Sequence, residues 1–587
     1  MAIVNRKNIS TNGIDEDALT TSKSGELINN FGALTTTGDL ADGIFAGANQ
    51  VSVNNFAAIE TTGLGARGIY VQGDDAHLIN HGSIITHGGF DPSTFDTSDG
   101  MFAIGDRYYI ANHGSIQTEG EASSAMIGLG ADGTIVNYGD VSSIGLTGIV
   151  VGAFGDQSQT LNYGQVTAGG DFEFALFAEG DQSQTLNYGQ ITASGLFEFA
   201  LFAEGENALA INRGEILLTG DSDRGIRTDG DGSQAINMGE ITSSADNIHS
   251  ISVFGNGAAT TNRGEILVTG DDADGIFLFD PGSLAGAVSQ ATNAGKIIAN
   301  GENTHGMDVF GDGDAALNSG QISITGDGSI GISTRSISLR DTMFPDASFD
   351  HGEIVNRGTI EMKGDGAPGV LMAGDGNHLT NSGLIVTSGG AFDADALGVA
   401  LHAAGVVVVG DGALIENPGS IKSLDAESPA VELNVIEISG HPTAEMSSRV
   451  ENSGLIEGAA IAIQGGAGEE TVVNHGRIVG DVVLGDGNDT FVFGKGGTLA
   501  SNLVLGGGDD LVRVEKGAGT MHIADFAAGP ASGDVIDVSD FFASFGALIM
   551  HSYQDGNDVV IDLGHNDQLV LAHVQVGTLT AGDFLFA

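Results

Sequence analysis

"GDQSQTLNYGQ" stands at residues 155–165 and again, unchanged, at 180–190. The segments that follow, "VTAGGDFEFALFAE" and "ITASGLFEFALFAE", are nearly the same, so a whole 25-residue block is doubled. Its core is a short anchor, Asn-x-Gly-x-aliphatic. The anchor Asn recurs at 30, 55, 80, 112, 137, 162, 187, 212, 237, 262, 293, 318, 356, 381, 417, 452 and 474. Ten of the 16 intervals have the length of the doubled block, which identifies a repeat array rather than a chance motif. Apolar residues return 14 positions after the Asn, as at Ile44, Leu176, Leu201 and Ile226, and Gly returns at 18, as at Gly155, Gly180 and Gly205.

Between these points the apolar pattern alternates at two residues, not 3.6. Stretches such as "EILLTG" and "ALFAE" therefore read as short strands. One such coil cannot bury its own apolar face, but stacked coils can. The reading is all-β: a parallel β-helix, or β-solenoid, of about 20 coils spaced ~4.8 Å apart, a rod on the order of 90 Å long. The repeated Asn is expected to form an amide ladder, and an Asn also tolerates left-handed backbone at a corner. The expected segments are a cap at 1–25, the β-helix at 26–480, changed coils at 481–520 and a terminal region at 521–587.

Composition agrees. There are 94 Gly against 8 Pro with no Gly-X-Y period, and 41% hydrophobic residues, too many for a disordered chain. The 77 acidic residues face only 20 basic ones, a net charge of -57. That excludes a large basic footprint for nucleic acid and favours hard cations such as Ca²⁺. Cys is absent, so no disulfide or thiolate site is expected. The first residues lack the apolar core of a cleavable signal, and no run is long enough for a membrane span.

Intervals of other lengths mark insertions at 88–99, 281–290, 337–353, 389–396 and 435–449, candidates for a binding surface on one side. Arg224, Arg227, Arg335 and Arg340 are candidate cations for a polysaccharide-active site, and Asp221 and Asp223 one of many carboxylate pairs. His81, His113 and His475 follow an anchor Asn and read as exposed corner residues.

After Ile478 the anchor gives way to "LGDGNDTFV" (484–492) and "LGGGDDLVR" (505–513), with a weaker "GGAGEETVV" at 465–473. These resemble the Gly-rich nonapeptide of repeat-in-toxin proteins. The resemblance implies Ca²⁺ held by the carboxylates of Asp489 and Asp510, with oxygens of Gly485, Asp486, Gly487, Gly506, Gly508 and Asp509 completing the cage. "IADFAAGPASGDVIDVSDFF" (523–542) and residues 555–587 resemble the C-terminal secretion-target region of serralysin-like proteins. That likeness implies export by a type I exporter, without a cleaved signal, to the cell surface or medium. No His-Glu pair of the serralysin zinc site occurs, so proteolysis is not carried over.

The Asn-x-Gly-x-Ile coils are similar in pattern to autotransporter-passenger and haemagglutinin-like β-helices. The expected function is a calcium-dependent structural or adhesive β-solenoid, meeting matrix polysaccharide or associating with itself into filaments or layers. The alternative is a lyase, epimerase or hydrolase acting on polysaccharide from the same scaffold. Near-identical coils argue against it, because an active site needs unequal residues gathered at one place.

Overall fold

Alternation decides each coil. In Gln184–Asn187 the side chains of Thr185 and Asn187 are buried while Gln184 and Leu186 face outward. Gln190–Ala193 buries Ile191 and Ala193, and Phe199–Glu204 buries Leu201. These three strands make one coil, turned at three corners. The computed structural model describes residues 2–281, 288–334, 350–393, 400–434, 446–530 and 533–587, and within them the chain is an all-β parallel β-helix. It forms two compact units: residues 1–289 with 295–297, and residues 290–294 with 298–587.

Equivalent strands of successive coils pair in parallel, one repeat apart. Thus Leu161 lies against Leu186, Val166 against Ile191, and Leu176 against Leu201, which lies against Ile226. Like therefore packs on like, and burial of each inward-facing aliphatic contributes about 1.5–3 kcal/mol. The first unit begins this pattern at once: Ala2–Asn5 pairs with Leu27–Asn30, so residues 2–21 form a coil in register with the next.

The Asn ladder is present. In the first unit the Nδ2 of each anchor Asn donates to Oδ1 of the next, from Asn5 to Asn30 at 2.7 Å through Asn237 to Asn262 at 2.9 Å. In the second unit the chain of bonds runs from Asn293 to Asn318 and on to Asn474. The ladder Asn side chains are buried, where an unpaired amide would be costly. The Gly two residues later is required by space: a Cβ at Gly189 would lie 2.0 Å from the Gly164 carbonyl oxygen of the coil before.

The ladder Asn do not use their tolerance for left-handed backbone: they end their strands in extended backbone, and none has positive φ. The left-handed residues are at the other two corners, for example Thr147, Phe172 and Phe197, and Gln157, Gln182 and Asn207. Each donates its amide to the following coil, as Phe172 does to Leu196 at 2.8 Å and Gln182 to Glu206 at 2.8 Å. Those hydrogen bonds offset the ~1–2 kcal/mol that left-handed backbone costs a residue with a Cβ.

At the C-terminal end of the second unit the step shortens. Leu503–Gly507 stacks on Arg477–Asp486, with Leu503 against Val482, and Leu511–Val514 stacks on Thr490–Phe493, with Val512 against Phe491. The next strand of this column, Thr520–Ile523, pairs in parallel with Asp567–Leu571, which also belongs to an antiparallel meander with Ser552–Asp555 and Asp558–Gly564. A short helix, Phe545–Met550, precedes it, with Ser544 as N-cap. Among the described residues no helix is long and apolar enough to cross a membrane.

Candidate cation-binding coils

The glycines predicted to cradle an ion have the backbone that only glycine adopts easily. Gly485, Gly487, Gly506 and Gly508 have φ of 109°, 129°, 95° and 143°. A Cβ at Gly506 would lie 1.8 Å from the Gly485 oxygen, and one at Gly508 1.6 Å from the Gly487 oxygen. Backbone carbonyls thus approach the next turn where no side chain fits. The weaker third copy stacks on the other side, with the Gly466 and Gly468 oxygens against Gly485 and Gly487.

Asp489 and Asp510 are buried, 1% and 2% exposed. The Asp489 Oδ1 accepts from the Glu470 amide at 2.7 Å, and the Asp510 Oδ1 from the Asp489 amide at 2.9 Å. Asp534 continues the series, accepting from the Asp510 and Ala527 amides. Both carboxylate oxygens of Glu470, and the Oδ2 of Asp489 and of Asp510, are buried without a well-formed hydrogen bond. Burial, reinforced by neighbouring carboxylates, raises the pKa of Glu470 and of Asp489 and pushes Asp510 up to about 7. Asp486 and Asp509, by contrast, are exposed.

The same column is uncharged one coil earlier. Ser448 pairs in register with Glu470, so a buried small alcohol is replaced by a ladder of four acids, Glu470, Asp489, Asp510 and Asp534. The motif spacing locates Asp489 and Asp510. It misses Asp534, which immediately precedes the strand Val535–Asp537, and Asp525, whose carboxylate accepts from the Leu505 and Gly506 amides. Both lie in irregular sequence, and only stacking brings them to the Gly turns.

The other predicted residues have different settings. His81 and His113 are exposed corner residues as expected, but they belong to a continuous row of stacked rings: Phe31, Phe56, His81, His113, Tyr138, Tyr163 and Tyr188, with centroids 4.7–5.2 Å apart. Arg6 and Arg213 lie over its two ends. His475 borders a shallow depression in the second unit with Thr380, Glu416 and Glu451. The Arg224 Nη1 donates to the carbonyls of Ser222, Asp223 and Asn247, and Arg227 pairs with Asp229 at 2.7 Å. Asp223 is buried and accepts from the Glu198 and Gly220 amides, whereas Asp221 is exposed. Arg335 and Arg340 lie outside the described residues, as do all or part of the insertions at 281–290, 337–353, 389–396 and 435–449.

The insertion at 88–99 is fully described and is pinned down. Arg67, 6% exposed, reaches Asp96 at 2.7 Å and Asp99 at 3.4 Å and lies over the rings of Tyr70 and Phe102. The Ser98 hydroxyl donates to the Gly63 and Gly89 carbonyls.

A family model described as the BigA third pectate lyase-like domain matches residues 1–145 and 234–498. The chain belongs to this family. The match spans most of the Asn-ladder coils and leaves out the doubled block and the terminal region. A chain in the solved structure titled "The cryo-EM structure of the Vag8-C1 inhibitor complex" is similar at 16% identity, over 91% of this chain and 99% of that one, with a TM-score of 0.40. No curated protein matches.

Proposed function

We propose that this protein is an extracellular or cell-surface β-solenoid, structural or adhesive in role, whose C-terminal coils are completed by calcium. Family membership supports the solenoid. The acid ladder carries the calcium reading: four stacked carboxylates are buried, and four of their oxygens lack a well-formed hydrogen bond. Uncompensated buried charge is expensive, and a hard divalent cation is the group that oxygens of this kind satisfy. Asp489 and Asp510 would supply side-chain ligands, and the Gly485, Gly487, Gly506 and Gly508 turns backbone oxygens; Asp486 and Asp509 stand outside, toward solvent. Such a site folds best after export into calcium-rich medium, which fits the proposed type I route read from residues 521–587.

The test is calorimetric melting of the full chain with Ca²⁺ and with EGTA. Ca²⁺ is expected to raise the melting temperature of the native protein and to leave an Asp489→Asn/Asp510→Asn variant unmoved. Equal melting of the native protein in both buffers overturns the calcium reading. Truncation before residue 528 is expected to keep the protein inside the cell; its continued release into the medium overturns the export reading.

A further inference from the structure

One face of the first unit carries no acidic residue. It is the outer face of the eleven strands that end on, or align with, the Asn ladder, from Ala2–Asn5 to Ala259–Asn262. In nine of the eleven strands two side chains point outward, while in Tyr109–Asn112 and Thr134–Asn137 the second outer position, Ala111 or Val136, is buried; the residue after the Asn extends the same face. At all these positions there is no Asp or Glu, although the chain carries 77 acidic residues. The doubled coils show what replaces them: Gln159, Leu161 and Tyr163, then the same three types at Gln184, Leu186 and Tyr188. The cationic groups present are Arg6, Arg213 and Arg263, and three histidines lie on the same face.

We infer that this face is where two copies of the chain meet, face to face about a two-fold axis. Charge is the first argument. Two molecules of net charge -57 repel wherever their carboxylates face each other, and this surface lets them approach without any. Area is the second. Eleven strands ~4.8 Å apart, each four residues long at ~3.3 Å per residue, give a flat patch of roughly 700 Å². A standard interface buries about 800 Å² per partner. Chemistry is the third. Tyr138, Tyr163 and Tyr188 stack on one another and offer ring edges and hydroxyls rather than open ring faces, which suits a flat protein partner better than a sugar seeking a stacking platform. This inference rests on the structural-assembly side of the proposed function and not on the calcium site.

The test is the mass of the full chain by sedimentation equilibrium at physiological salt, in Ca²⁺ and in EGTA. A dimer is expected in Ca²⁺, weakened at least tenfold by Gln159→Glu/Gln184→Glu/Gln234→Glu, which places carboxylates on the face without removing any packing group. The control Thr167→Glu/Thr192→Glu/Thr242→Glu, on the outward side of the next strand in the coil, is expected to leave the dimer intact. Circular dichroism melting confirms that both variants fold. A monomer at every loading concentration, or equal loss of the dimer in both variants, overturns the inference. So does a monomer retained on a neutral glycan column through this face. Loss of the melting shift with the dimer intact would instead strike the calcium reading alone.

Discussion

The Nδ2 of Asn162 donates to the Oδ1 of Asn187 at 2.9 Å, joining the two copies of the doubled block through the core. Asn187 in turn donates to Asn212 at 2.8 Å and accepts from the Gly189 amide at 3.1 Å. Asn187→Ala would orphan groups on both sides, at about 1–3 kcal/mol each. A fall of about 3 kcal/mol in urea-unfolding stability is expected. The exposed Gln190→Ala, three residues on, should stay within ~0.5 kcal/mol. Similar midpoints for the two variants would refute a stabilising role for the ladder.

Gly508 and Gly556 both have positive φ, but only Gly508 is crowded: its Cβ would lie 1.6 Å from the Gly487 oxygen, whereas nothing lies within 4 Å of one at Gly556. Gly556→Ala should cost about 1 kcal/mol through backbone strain alone. Gly508→Ala should cost several times that and abolish any Ca²⁺-dependent rise in melting temperature. Equal melting of the two variants would mean that the Gly turns relax freely around a side chain.

Glu198 lies inside the doubled block with both carboxylate oxygens buried and without a well-formed hydrogen bond. Burial pushes its pKa up to about 9, the Asp223 and Glu173 carboxylates adding to the effect; the nearby Gly195 and Ser194 amides offset only part of it. A raised folded-state pKa means the folded protein holds the proton more tightly than the unfolded chain. The stability it contributes is complete below the ordinary value of 4.5 and is lost as pH rises through about 9. Melting temperature should therefore fall from pH 5 to pH 9, and Glu198→Gln should flatten part of that fall. An unchanged slope in the variant would count against a buried, protonated Glu198.

Arg67 holds the insertion at 88–99 against the first unit through Asp96 and Asp99. Arg67→Met removes one partner of a buried pair and leaves the Asp99 carboxylate stranded, at about 3–5 kcal/mol. Limited proteolysis should then cut within 88–99, where the native protein is expected to resist. Equal resistance would mean the loop is held by Ser98 and its backbone contacts instead.

The coil was legible because identical residues at a constant step have one economical arrangement: each aliphatic and each Asn meets its own copy, and the period alone sets the register. Repetition thus specified the parallel β-helix, the Asn ladder from Asn30 to Asn262 and from Asn293 to Asn474, and the Gly turns around Asp489 and Asp510. It did not place the left-handed backbone, because Thr147, Phe172 and Gln182 adopt it with the help of inter-coil hydrogen bonds, which no residue preference reveals. The acid-free face escaped it too, since a net charge sums over all sides and only the alternation of real strands sorts carboxylates onto some surfaces and off another. The burial of Glu470, Glu198 and Asp534 likewise emerged only from the folded coils. A carboxylate in a Gly-rich acidic sequence looks like every other, and stacking alone determines which ones lose their water.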